Sequence, residues 1–118
     1  MKTSLITLVA FSLALAFAQE QARPQHIGGN VMQSQLASSV RPVYPDLAKQ
    51  NGIEGTVKFE ATIDKDGHIA ELKLVSGPPL LIQSAMDAVK QWVYNPTYLN
   101  GEAVTVLTTI DVNYTLTR

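Results

Sequence analysis

The 118-residue chain contains no cysteine. That excludes disulfides, thiolate metal sites, cysteine nucleophiles and lipid attachment through an N-terminal cysteine. Its two histidines, His26 and His68, have no ligand cluster at metal-binding spacing beside them. Charge is scarce, at 16% of residues with a formal net of −1, so there is no electrostatic footprint for nucleic acid. Catalytic groups are missing too. No nucleophile–base pair can be assembled, and Ser76-Gly77 lacks the G-x-S-x-G frame of a nucleophile elbow. Asp64-Lys65-Asp66-Gly67 begins like a calcium loop but lacks the remaining ligands and the distal glutamate, so it reads as a hairpin turn. Asn113-Tyr114-Thr115 has a glycosylation pattern but falls inside a strand and is read as chance. The expectation is a protein that is not an enzyme and has no cofactor, no metal and no small-molecule substrate.

Long hydrophobic runs are limited to one. Met1-Lys2 is followed by an apolar stretch from Leu5 to Phe17, then an A-x-A cleavage pattern at Ala16-Phe17-Ala18. This is the layout of a secretory signal peptide. The run falls short of the ~20 apolar residues of a spanning helix, although an uncleaved inner-membrane anchor is the alternative reading. The expected organisation is a signal peptide at 1–18, a linker at 19–39 and one domain at 40–118. Export without cysteine suits a bacterial periplasm, where disulfides are permitted but not required.

The rest of the chain has clear local patterning. Tyr44-Pro45-Asp46 to Asn51-Gly52 reads as a short helix with proline and an acid at its start and a glycine cap at its end. Tyr44, Leu47 and Ala48 are expected to share its buried face. In 56–63 the apolar residues Val57, Phe59, Ala61 and Ile63 alternate with Thr56, Lys58, Glu60 and Thr62, which predicts a strand with one wet face. The Asp64–Gly67 turn leads to a second strand, 69–75, expected to place Ala70, Leu72 and Leu74 on one face. After Gly77-Pro78-Pro79 comes a helix with Leu81, Ala85, Ala88, Val89 and Trp92 on one apolar stripe. Pro96 stops that helix, and Asn100-Gly101 is a turn. A third alternating strand is expected from Val104 to about Leu116. The sum is a small two-layer α+β domain, α-β-β-α-β, with a three-stranded antiparallel sheet in the order second, first, third and helices on one face.

This order, and the residues that carry it, resemble the C-terminal domain of the TonB family, the TonB/TolA C-terminal-like fold. The matching pieces are Pro42-Val43-Tyr44-Pro45 with Ala48, Ile53-Glu54-Gly55-Thr56-Val57, Asp66-Gly67 and Val75-Ser76-Gly77. Further along they are Ala85, Ala88-Val89, Trp92-Val93-Tyr94-Asn95-Pro96 and Asn100-Gly101-Glu102-Ala103-Val104. The resemblance covers about residues 28–116. It implies binding of an extended segment, the TonB box of an outer-membrane receptor, by strand addition beside the last strand. It also implies a link to energised transmembrane transport. A full transducer of this family is similar in having an uncleaved anchor and a long Pro-rich spacer. Here about twenty residues, reaching at most ~70 Å, separate the apolar run from the domain, as in a stand-alone exported domain.

On that resemblance the candidate partner-binding residues are Tyr94, Asn95, Pro96 and Tyr98 after the long helix, and Thr105, Leu107, Thr108, Thr109, Ile110 and Asp111 on the last strand. The expected partner is a TonB-dependent outer-membrane receptor or another envelope protein. The alternative is a structural envelope module that pairs with a second copy of itself and never meets a receptor.

Overall fold

The computed structural model describes residues 24–117. In chain order its elements are β1 (Gln25–His26), α1 (Gly29–Gln33), β2 (Leu36–Ser38), α2 (Asp46–Gln50), β3 (Gly55–Ile63) and β4 (Ile69–Ser76). They continue with α3 (Pro79–Val89), β5 (Val93–Tyr94), β6 (Thr97–Leu99), β7 (Glu102–Val104) and β8 (Val106–Tyr114).

β3 is the centre of the sheet. Its alternation is realised as expected: Val57, Phe59, Ala61 and Ile63 are buried while Thr56, Lys58 and Glu60 are exposed. β8 does the same with Val106, Thr108, Ile110, Val112 and Tyr114. The two strands pair antiparallel from Gly55↔Tyr114 to Ile63↔Val106, which brings both apolar rows onto one face. β4 pairs antiparallel on the other side of β3, giving the expected order β4-β3-β8. Leu81, Ala85 and Val89 of α3 cover the apolar face, and Ala48 of α2 is fully buried in the same core. A fully buried Val, Leu or Phe such as Val57, Leu81 or Phe59 contributes ~1.5–3 kcal/mol relative to exposure.

The β3–β4 turn is held by Asp64. Its carboxylate accepts the backbone N–H groups of Asp66 at 2.9 Å and His68 at 3.0 Å. Gly67 has φ 92°, a left-handed value that favours glycine, and its carbonyl accepts the N–H of Tyr94 at 2.8 Å. The tip of the hairpin is thereby fastened to the segment after α3.

Five features differ from the sequence expectation. Residues 24–38 of the expected linker form β1, α1 and β2, and Met32 is buried in the core at 1% exposure. β1 adds a fourth, parallel strand outside β8, with Gln25↔Val106 and His26↔Leu107 in register. The long last strand is split at Thr105. Asn100 (φ 53°) and Gly101 (φ 83°) form a tight turn that folds β7 back on β6, so residues 102–104 leave the main sheet. In β4, the register shifts between Thr62↔Glu71 and Ile63↔Ile69, leaving Ala70 in a bulge and exposed. Ile69 and Leu72 therefore pack on the core, opposite Ile63 and Ala61, while Leu74, opposite Phe59, is 43% exposed. Finally, Leu47 is 55% exposed, because a helix of five residues has room for one inward position and Ala48 takes it.

Candidate strand-addition edge

β8 has two edges, and β3 fills one. The other can be read from two backbone bonds. Gln25 donates its N–H to the Thr105 carbonyl at 2.8 Å, and Ile27 donates to the Leu107 carbonyl at 3.0 Å. Backbone groups of one residue point to the same side of a strand, and successive residues alternate. Thr105, Leu107, Thr109, Asp111 and Asn113 thus present their N–H and C=O groups outward. Val106, Thr108, Ile110, Val112 and Tyr114 present theirs to β3.

That alternation sorts the residues expected to meet a partner. Thr105, Leu107, Thr109 and Asp111 lie on the outward-pairing set. Thr108 and Ile110 do not: both side chains are buried, at 7% and 5% exposure, and both backbones face β3. Period two allows no other outcome. Tyr94 is buried at 3%, its N–H is bonded to Gly67, and its strand β5 pairs with β2. Burial pushes the Tyr94 phenol above its usual range. Asn95 is exposed but gives its backbone N–H to the Gln35 carbonyl at 2.7 Å. Pro96 is exposed, and Tyr98, 65% exposed, stands on the β6–β7 hairpin.

The outward edge is covered unevenly. β1 pairs beside Val106 and Leu107 only. Gly29, at the start of α1, then passes so close that a Cβ there would stand 2.6 Å from the Thr109 carbonyl oxygen. Beyond it a cleft of about 620 Å³ runs beside Asp111 and Asn113, walled by Asn30, Gln33, Leu36 and Trp92. The indole N–H of Trp92 donates to the Val40 carbonyl at 2.9 Å, and part of its ring packs on the core. Asn113 accepts a hydrogen bond on Oδ1 from the Thr56 hydroxyl at 2.6 Å. Asn30, Gln33 and Leu36 escape a sequence reading because their segment has no periodicity. Gly28-Gly29 is the trace they leave, since close approach of one backbone to another calls for glycine.

Among the described residues, no group of three or more His, Asp or Glu side chains is placed to hold a metal ion. Nor is any helix there long and apolar enough to cross a membrane. The apolar run at 5–17 lies outside the described residues.

The sheet, its helical cover and the half-open edge define a small two-layer α+β domain organised around backbone pairing. Residues 40–116 match the family described as Gram-negative bacterial TonB protein C-terminal, and the chain belongs to that family. Protein TonB of Vibrio cholerae is 41% identical over 71 residues, which is 58% of this chain and 29% of that protein. Protein TonB of Pseudomonas aeruginosa is 34% identical over 65 residues, 53% of this chain and 19% of that protein. The matched stretch is thus well under half the length of either relative. The solution NMR structure of the Pseudomonas aeruginosa TonB CTD superposes with a TM-score of 0.60 at 27% identity, covering 70% of this chain and 86% of that one. The TonB2 protein from Vibrio anguillarum superposes with a TM-score of 0.54 at 30% identity, covering 71% and 85%. β1, α1 and β2 precede the stretch matched by the family.

Proposed function

We propose that this chain is a periplasmic, non-enzymatic binding module of the TonB family. It recognises an extended segment of a TonB-dependent outer-membrane receptor by strand addition along the outward edge of β8, in the service of energised transport. The observation that carries the reading is that this edge already takes an added strand: β1 pairs there through the Thr105 and Leu107 carbonyls. Backbone pairing supplies affinity. Leu107, Thr109 and Asp111 stand on the outward-pairing set, where they would meet the side chains of the incoming segment. Family membership supports the same assignment. Export follows from the leader pattern at 1–18.

The test is a titration of the isotope-labelled protein with synthetic peptides that each copy the TonB box of one receptor. Amide shifts concentrated at Thr109, Asp111 and Asn113 are expected. Shifts confined to β4, or none with any peptide, would overturn the proposal. In the second case, concentration-dependent sedimentation would instead select the self-associating module.

A further inference from the structure

The chain's own N-terminal segment lies on the edge assigned to the partner. We propose that residues 25–34 are an intramolecular latch that an incoming strand must displace from β8. This rests on the strand-addition reading above and adds regulation to it.

The arithmetic of the edge motivates it. Five residues present outward backbone groups. Thr105 and Leu107 are bonded to Gln25 and Ile27, and Gly29 stands against the Thr109 carbonyl. Only Asp111 and Asn113 are left for a partner. A typical strand of about five or six residues turns two or three of them toward its neighbour, so Asp111 and Asn113 hold only the shortest partner. A longer partner strand needs the stretch that the latch covers.

The latch is built to leave. β1 has two residues. α1 has five, far below the length at which a helix persists alone, with no side-chain cap and no charged residue in its end turns. Met32 is the buried anchor, while Val31 is 58% exposed. The segment is also tied to the domain immediately downstream. The Gln35 carbonyl accepts the Asn95 N–H, and Leu36 pairs with Tyr94. Once released, residues 25–34 would swing from that tie and stay near the edge at high effective concentration. The latch competes with a partner by proximity rather than by strength.

Gly29 provides a way to open it by a substitution at a residue that is not itself part of the core. In Gly29→Ala the new methyl would meet the Thr109 carbonyl oxygen at 2.6 Å, so the segment must shift. Alanine is the better helix former, so any loosening comes from that contact and not from helix propensity. Ile27→Pro opens the latch independently by removing the N–H that binds Leu107. The experiment compares the full chain with both variants. Amide exchange is read at Gln25 and Met32, with Phe59 as the core reference, and calorimetry uses the same synthetic TonB-box peptides. Both variants should exchange faster at Gln25 and Met32 with Phe59 unchanged. They should bind a peptide that the parent binds about tenfold more tightly, the ratio expected if the parent is open about a tenth of the time. Equal affinity in parent and opened variants would overturn the latch and leave strand addition standing. So would peptide binding that keeps Gln25 protected. If no peptide binds the parent or either opened variant, strand addition itself falls and the latch with it.

Discussion

The rings of Tyr44 and Tyr114 meet edge to face, with centroids 5.3 Å apart and planes at 88°. The contact joins the segment before α2 to the last residue of β8. The Tyr44 hydroxyl donates to the Ile53 carbonyl, and the Tyr114 hydroxyl lies 3.0 Å from the Ser84 hydroxyl on α3. Helices and sheet are tied together at the end of β8 farthest from β1.

Three phenols in this fold have raised pKa values. Burial raises Tyr44, with the charge of Glu54 adding to it. Burial also raises Tyr114, and Tyr44 adds to it while the Ser84 hydrogen bond works against it. Tyr94 is raised by burial alone. A phenol raised in the folded state keeps its proton where the unfolded chain has lost it. The stabilisation is therefore complete below the ordinary value of 10.0 and is lost as pH rises beyond it. Alkali should lower the melting temperature, and Tyr94→Phe should shrink the drop between about pH 8 and about pH 11. Melts of parent and variant at the two pH values check this. An identical drop in both would show that Tyr94 does not carry the effect.

Gly67→Ala should cost more than its backbone angle alone explains. A left-handed angle costs a non-glycine residue about 1–2 kcal/mol. At Gly67 the new Cβ would also stand 1.8 Å from the Tyr94 carbonyl oxygen, so the hairpin must move off β5. Gly101→Ala is the control, since it too has a positive φ but nothing within 4 Å of the Cβ position. We expect Gly67→Ala to melt about 10 °C or more below the parent and Gly101→Ala about 5 °C below, on the usual scaling for a domain of this size. Equal losses would mean that the turn is not fastened to Tyr94.

Thr108 is the reverse case, a position where a substitution should help. Its hydroxyl is buried in the apolar layer and has no hydrogen-bond partner among the described residues. Leaving such a group unpaired costs about 1–3 kcal/mol. Thr108→Val keeps the shape, removes the penalty and should raise stability by about 1 kcal/mol, read from urea unfolding at unchanged slope. A lower midpoint would show that the hydroxyl has a partner when the protein is in water.

Most of this fold could be read from periodicity because most of it is long enough to be periodic. β3 and β8 each bury a full apolar row, and α3 buries Leu81, Ala85, Ala88 and Val89 of the expected stripe, while Trp92 falls beyond the end of the helix at Val89 and is only half-buried. The elements that escaped are the short ones. Two residues in β1 and five in α1 cannot display a period, and they exist because β8 and the core receive them. Thr105 escaped for another reason. The alternation runs through it without a break, yet the Asn100-Gly101 turn commits Glu102–Val104 to β6. Side-chain pattern also carries no information about which backbone groups point outward. A single bond from Ile27 to Leu107 supplies it.

That parity decides the most direct test of the edge. Proline has no N–H and is tolerated only where none is needed for the ladder. Asp111 is exposed and points its N–H outward, whereas Ile110 points its N–H to β3 opposite Phe59. Ile110→Pro breaks a ladder bond and a core position together, and a loss of ~3 kcal/mol or more should unfold a domain this small. Asp111→Pro should leave a folded domain with a melting temperature within a few degrees of the parent. It should also weaken binding of a TonB-box peptide, because the partner strand loses a donor that no side chain can replace. Circular dichroism reads the first property and calorimetry the second. If Asp111→Pro is folded and binds the peptide as tightly as the parent, the incoming segment does not pair with this part of β8. If Asp111→Pro unfolds and Ile110→Pro does not, the outward set has been assigned one residue out of register.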